Sequence, residues 1–471
     1  MNIKNRVITN IQRNLNLKYI KRFLRIISIK PLLYAYGNTR PSAVDKYLNI
    51  FTVESLKKAY SDNSSPVGYG SLFLPYELFH ALGITPFLPE VMAGYIAALG
   101  LAPETIKKAS SCWYSQDLCT FHRSATAALE MDLFPEPDFI ITTNLACDAA
   151  QKSFYINSLK YNVKKNFYMI NVPYYYSEQS VLYLSNQIEK IYNDICLKMG
   201  KKPDISRFKE VINLSNEFRK WAIEANNLRK TLVRYPPFYN GLNFILPFHA
   251  FAGTKEAVIL YREMYKEFER YLDKKNTGNN INKKLSDNNK LINNKPVKNT
   301  KPVSNKLAVN NKPMNNNDAD INKSIIDKPI KRLLWLHLKP YYNNEIFNIL
   351  EKENCKVVFE EMNYVYWPVL DPDRPFESLA RKMLSHFLAG SIERRISVIL
   401  ELVREYRVDG VILFAHWGCR QNNGAARLIK DSLKKINVPI LVLDGDCVDP
   451  NNSSQGQIRT RLQAFIEILN S

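Results

Sequence analysis

Residues 408–420 read VDGVILFAHWGCR: an unbroken apolar run, Val411 to Ala415, closed by His416, Trp417 and Gly418 and then by Cys419. A run this short, rich in branched and aromatic side chains and bounded by glycines, predicts a strand buried on both faces. The next residues, NNGAARLIKDSLKKI (422–436), carry helical spacing, and PILVLDGD (439–446) is again strand-like. The same order occurs earlier: PDFIITTNLACD (137–148), then the helical AAQKSFYINSLKYN, then FYMINVP. Cys147 to Pro173 and Cys419 to Asp444 span 26 and 25 residues, one strand–helix–strand length. Buried strands alternating with amphipathic helices predict an α/β protein with two doubly wound parallel sheets. Ligands of such sheets sit beyond the carboxyl ends of the strands, where Cys147 and Cys419 both lie.

At 471 residues the chain is long enough for two or three domains, and 46% hydrophobic residues permit sizeable cores. Its net charge of +20 suggests nucleic acid until the charge is located. Residues 1–40 hold nine Lys/Arg and no acid, and residues 274–324 hold eleven Lys against three Asp, so the rest is only +3. A nearly balanced body argues against a basic nucleic-acid groove. Seven scattered cysteines form no disulfide framework, which predicts a reduced, cytoplasmic protein. Neither a signal-type apolar segment nor a transmembrane run is expected.

Four regions follow. Residues 1–45 form a basic amphipathic helical arm, and residues 46–273 an N-terminal α/β domain with a helical part. Residues 274–326, dominated by Asn and Lys and without an aromatic, read as a disordered insertion. Residues 327–471 form a C-terminal α/β domain.

Three cysteines lie in polar loop contexts: Cys119 in QDLCTFHR, Cys147 in TNLACD and Cys419 in HWGCR. A single buried cysteine is ordinarily a small hydrophobe. Two at equivalent strand ends of repeated units argue instead for a site between the domains, ligated from both. Cys119 with His122, and His416 with Cys419, offer zinc-type spacings, but no C-x2-C pair seeds a closed zinc site. An iron–sulfur cluster on three cysteines would leave one iron open. Spacing alone leaves the metal undecided.

LCTFHRSA, PEPDFIITTNLACD, HWGCRQNNGAARLIK and PILVLDGDCVDPNNSSQGQIRTRLQAFIEIL together resemble the 2-hydroxyacyl-CoA dehydratase family, which includes 2-hydroxyglutaryl-CoA dehydratase D-components and benzoyl-CoA reductase subunits. LPYELFHALGITPF (74–87) resembles the same family's early pattern. The resemblance implies two flavodoxin-like domains plus helices, with a [4Fe–4S] cluster between the domains on Cys119, Cys147 and Cys419. It further implies a heterodimer with a paralogous subunit and an ATP-dependent iron–sulfur activator that injects one electron. An acyl-CoA substrate would lose water through a ketyl radical to give an enoyl-CoA. Two alternatives stay open: a benzoyl-CoA-reductase-like or other low-potential reductase subunit, and a non-catalytic cluster-binding partner.

Further residues are read more weakly. Glu77 in LPYELF is a candidate acid or base near the open iron, or a helix-start carboxylate. His416 is a candidate donor to the cluster or substrate. Arg123 and Arg420 flank cysteines and either offset cluster charge or are solvated. Cys112 and Cys447 are possible additions to the site, whereas Cys196 and Cys355 read as core thiols. The LDGD segment (443–446) suggests a ribose or metal acid, but no G-x-G-x-x-G accompanies it. SQGQIRTR (454–461) at a helix start is a candidate for CoA phosphates.

Overall fold

The computed structural model describes residues 42–61, 65–112, 114–232, 235–236, 240–288 and 330–471. Within them, eight strands form two four-stranded sheets. The first contains β1 (Val67–Gly70), β2 (Thr85–Phe87), β3 (Phe139–Thr143) and β4 (Phe167–Ile170), in the order β2-β1-β3-β4. The second contains β5 (Lys331–Leu336), β6 (Cys355–Glu360), β7 (Gly410–His416) and β8 (Ile440–Gly445), in the order β6-β5-β7-β8. Every neighbouring pair is parallel. Both halves thus share the flavodoxin-like order, as their strand–helix–strand repeats predict.

The apolar run Val411 to Ala415 lies in β7, buried at all seven residues, with Ile412 between Trp335 of β5 and Leu441 of β8. Its side chains alternate between faces, as a strand requires. Ile412 and Phe414 enter one core with Leu333 and Trp335, whereas Val411 and Leu413 enter another with Leu334 and Leu336. In the first sheet Ile140 joins the core of Trp335, while Phe139 and Ile141 face the opposite way. The two sheets therefore share a middle core, and Cys119 and Cys447 lie in it. Trp335 and Phe414 stack there with ring planes 14° apart. Burial of each such side chain contributes roughly 1.5–3 kcal/mol.

The strands of the first sheet lie within residues 67–170 and those of the second within 331–445, but the helices do not divide the same way. The helix Pro375–Leu384 sends Leu379, Ala380 and Met383 into the core of the first sheet. In return Arg229, at the end of the helix Ile205–Arg229, pairs at 2.9 Å with Glu360 at the end of β6, both fully buried. The two halves are interlocked.

Two expectations meet the edges of the described residues. The helix Ala43–Tyr60 begins with a capping box in which Ser42 and Asp45 exchange hydrogen bonds; the rest of the N-terminal arm lies outside the described residues. The helix Lys255–Asn288 runs across the boundary drawn at 274. Its launch is the reason: Ala257, Leu260, Tyr261, Met264 and Phe268 anchor the helix in the core, and extending a formed helix is far easier than nucleating one. Residues 289–326 lie outside the described residues. Among the described residues no helix is long and apolar enough to cross a membrane.

Candidate metal centre

Cys119, Cys147 and Cys419 occupy the same structural position three times over. Each is the N-cap of a helix: Thr120–Glu130, Asp148–Lys160 and Arg420–Lys434 respectively. None of the three makes a side-chain cap hydrogen bond, but nearby backbone N–H groups favour each thiolate: those of Phe121 and His122 at Cys119, of Ala149 and Ala150 at Cys147, and of Asn422 at Cys419. A helix N-terminus favours negative charge, so each cap supports a thiolate. In both repeats the residue before the cysteine is left-handed, Ala146 at φ 61° and Gly418 at φ 76°. That turn swings the chain from the strand end into the helix.

The loops from the two halves touch. A Cβ on Gly418 would lie 2.4 Å from the Cys119 backbone nitrogen, so only glycine allows this approach. Beside it Trp417 donates from Nε1 to the Gln116 carbonyl at 3.0 Å.

One imidazole stands against each sulfur. His416 Nε2 is 3.3 Å from Cys119 Sγ, His122 Nε2 is 3.3 Å from Cys147 Sγ, and His337 Nε2 is 3.5 Å from Cys419 Sγ. The local zinc-type pairs are therefore crossed: His122 reaches Cys147 rather than Cys119, and His416 reaches Cys119 rather than Cys419.

Burial pushes the Cys119 thiol well above its ordinary value, and the neighbouring Cys419 and Cys147 push it further. Burial also raises Cys147 to about 12, with Glu90 adding to it, and raises Cys419. His122 and His416 are lowered to about 4 by burial, and His337 falls well below its usual value for the same reason. Without a cation the pocket holds protonated thiols and neutral imidazoles. A bound metal group supplies the positive charge that ionises such thiols. Three mutually interacting sulfurs at three helix N-termini thus fit an iron–sulfur or thiolate–metal group.

The family model for the D-component of 2-hydroxyglutaryl-CoA dehydratase matches residues 71–292 and 308–469. The chain belongs to this dehydratase family. The (R)-phenyllactyl-CoA dehydratase alpha subunit of Clostridium sporogenes is 22% identical over 423 residues, covering 87% of this chain and 90% of that one. A benzoyl-CoA reductase subunit of Thauera aromatica is 20% identical over 424 residues, covering 85% and 88%. The (R)-2-hydroxyglutaryl-CoA dehydratase alpha subunit of Acidaminococcus fermentans is 22% identical over 344 residues, covering 71% and 61%.

For this dehydratase-family chain the remaining candidates separate cleanly. Glu77 is fully buried away from solvent, and its Oε1 accepts from Lys382 Nζ at 2.6 Å and from Ser215 Oγ at 2.5 Å. Burial raises its pKa, but Lys382 and Ser215 outweigh that and hold the carboxyl below its usual range. Cys447 is fully buried within electrostatic reach of Cys119 and Cys419, and its N–H donates to His416 Nδ1 at 3.0 Å. Cys196 and Cys355 are buried as expected, and Cys112 is half-buried at the end of the helix Ala102–Ser111. Arg123 is buried, donating to Ser110, whereas the Arg420 side chain is 76% exposed and solvated. Asp446 accepts from Thr120 Oγ1 at 2.6 Å and from the Val448 and Asp449 amides, bracing the loop after β8. Arg459 and Arg461 are taken by Glu345 and Asp444, which leaves neither guanidinium unpaired for CoA phosphates.

Three residues escape a reading of the sequence. Glu90, three residues after β2, lies with His122 and Cys147 such that their ligand atoms are all within 4.8 Å of one another. Burial lifts its pKa to about 7, partly offset by the Leu72 N–H. His337 is the first residue after β5, and Arg395, fully buried, lowers the Cys419 thiol. Position beyond a strand's carboxyl end was the available signal for Glu90 and His337. Nothing in its helix marks Arg395.

Proposed function

We propose that the chain is the iron–sulfur subunit of a 2-hydroxyacyl-CoA dehydratase, removing water from a 2-hydroxyacyl-CoA thioester to give an enoyl-CoA. The observation that carries this reading is the convergence of Cys119, Cys147 and Cys419, from two sheets, at the seam between their carboxyl edges. When bound, a [4Fe–4S] cluster supplies a one-electron donor and an iron left open to a substrate oxygen. The three cysteines are the residues that would hold it, and His416 fixes the Cys119 sulfur. Proton handling falls to Glu90 rather than Glu77. The Glu90 carboxyl lies beside His122 and Cys147, whereas Glu77 is committed to Lys382. Close-packed apolar residues of the middle core, among them Phe121, Phe414 and Val448, shield Cys119 from water.

The relatives are named as alpha subunits, which supports a second subunit; a separate activator that delivers an electron at the expense of ATP belongs to the same proposal. The cytoplasm is the compartment we assign, since low-potential clusters need reducing surroundings. The test is iron and acid-labile sulfide, with the visible spectrum, on protein purified without oxygen, beside Cys119→Ala, Cys147→Ala and Cys419→Ala. Brown wild-type protein near four irons per chain, lost in each variant, is the expected result. Colourless protein after fair reconstitution would remove the radical chemistry. Similarity to the benzoyl-CoA reductase of Thauera aromatica favours a second reading, a low-potential reductase. Assays of hydroxyacyl-CoA elimination and of aromatic-ring reduction, each with partner and activator, separate the two.

A further inference from the structure

Every one of the three site sulfurs has its own imidazole, and the imidazoles come from three different places in the fold. His122 lies in the first turn of the helix Thr120–Glu130, His337 follows β5, and His416 ends β7. We propose that His122, His337 and His416 form a collar of hydrogen-bond donors that raises the reduction potential of the cluster held by the three cysteines, an inference that rests on the iron–sulfur reading above. They act on the cluster through its sulfurs and are positioning residues.

The proton is placed most clearly at His416. Its Nδ1 accepts the Cys447 N–H at 3.0 Å, so that nitrogen carries no hydrogen. A neutral imidazole then has its hydrogen on Nε2, the atom 3.3 Å from Cys119 Sγ. The same assignment rules out Nε2 of His416 as a metal ligand, because its lone pair is used by the proton. His122 and His337 turn the same atom toward Cys147 and Cys419 at 3.3 and 3.5 Å, while Glu90 Oε1 also lies 3.5 Å from His122 Nε2 and the Phe414 carbonyl also engages the His337 ring. Two ligands of one tetrahedral ion would show a similar separation, so the experiment must distinguish donation from ligation.

The physical need is clear from the surroundings. Cys119 lies in the middle core, 9% exposed, and His416 is 1% exposed. Adding an electron to a cluster in so dry a place is disfavoured, because the extra charge is poorly solvated. Hydrogen bonds to the sulfurs stabilise the more negative, reduced form and oppose that penalty. Neutral donors do so without a fixed charge that would also hold an anionic substrate.

The experiment uses the full chain, purified with its iron under anaerobic conditions, with His122→Phe, His337→Phe and His416→Phe. His416→Gln is the conservative variant, because the glutamine amide places an N–H where Nε2 stands. Arg427→Gln is a surface control, since the Arg427 side chain is 82% exposed. Each sample is titrated against mediators while the reduced cluster is followed by electron paramagnetic resonance. At a fixed potential each Phe variant should show a roughly tenfold lower ratio of reduced to oxidised cluster, which is 59 mV for a one-electron couple. His416→Gln should recover most of the loss, and Arg427→Gln should match wild type. Phe variants that hold iron and titrate at the wild-type potential overturn the proposal, as does an effect confined to His416. Loss of iron in His416→Gln together with His416→Phe also overturns it. So does strong coupling of the electron spin to nitrogen in protein carrying 15N-histidine, which would mark ligation. Colourless wild-type protein is a different failure: it ends the iron–sulfur reading, and the collar with it, before any variant is compared.

Discussion

Ala146 and Gly418 stand one residue ahead of Cys147 and Cys419, both in the left-handed region, yet they meet different surroundings. A side chain at 418 would collide with the Cys119 backbone. Gly418→Ala therefore adds about 1–2 kcal/mol of backbone strain and forces the seam apart. Its iron-to-protein ratio should drop to less than half of wild type while far-ultraviolet circular dichroism stays the same. Ala146→Gly is the opposite case. It should relieve about 1 kcal/mol of strain, raise the denaturant midpoint and leave iron content untouched. An Ala146→Gly protein no more stable than wild type would show that the turn carries no strain. Glu90 makes a third residue-level case. Glu90→Gln keeps the shape and removes the proton exchange, so turnover should fall by roughly 10²–10⁴ with iron retained. Full activity in that variant would return the proton role to another group.

At the scale of elements, three helices start at cysteines, and what holds each start decides how well the sulfurs are placed. The helix Arg420–Lys434 is tied in by Asn422, fully buried, whose Nδ2 donates to the Phe414 carbonyl at 3.0 Å and whose Oδ1 accepts from Arg395 Nη2 at 2.9 Å. Arg395 is held in turn by Glu361, which also accepts the His337 N–H at 2.7 Å. One network therefore aligns β5, β7 and the Cys419 helix. Arg395→Met leaves the Glu361 carboxylate buried without its cation, and loss of one partner of a buried pair costs about 3–5 kcal/mol. Denaturant unfolding should show that loss, and iron should leave Arg395→Met faster than wild type in the presence of a chelator. Unchanged release would mean that the network stabilises the sheet but not the site. The elements themselves were legible because strand and helix periods are local: β3, β7 and their helices lie where their apolar patterns place them. Cys119, Cys147 and Cys419 were legible as candidate ligands through repeated context and family resemblance. Glu90, His337 and Arg395 were not, since their roles depend on loops from distant parts of the chain meeting at one seam. The pairing of Glu77 was illegible for the same reason, because its partner Lys382 is 305 residues away.

On the scale of the whole molecule, Glu77 and Lys382 join the two halves of the chain inside the first domain's core. The helix Glu77–Leu82 supplies the carboxylate, and the helix Pro375–Leu384, from the second half, supplies the ammonium, which also lies 4.4 Å from the centre of the Trp367 ring. The pair is 0% and 6% exposed, so neither charge is relieved by water. Glu77 is held below its ordinary value in the folded protein, because Lys382 and Ser215 overcome the penalty of burial. A carboxyl with a depressed folded pKa binds its proton more readily when unfolded. Its stabilisation is therefore complete above the unfolded value, near 4.5, and is lost as pH falls through the lower folded value. Wild-type stability should accordingly fall as pH drops below roughly 4.5. Glu77→Gln should be less stable by about 3–5 kcal/mol at pH 7, because Lys382 is left buried and unpaired. The same variant should lose this part of the acid dependence, so its stability profile below pH 4.5 becomes flatter than that of wild type. Replacing both partners, Glu77→Leu with Lys382→Met, removes both charges together and should recover most of the loss. Urea titrations of the wild type and these variants between pH 3 and 7 measure all of this. If Glu77→Gln retained the wild-type slope in acid, the pair would not be the clasp between the halves, and the helix Pro375–Leu384 would be held by its apolar face alone.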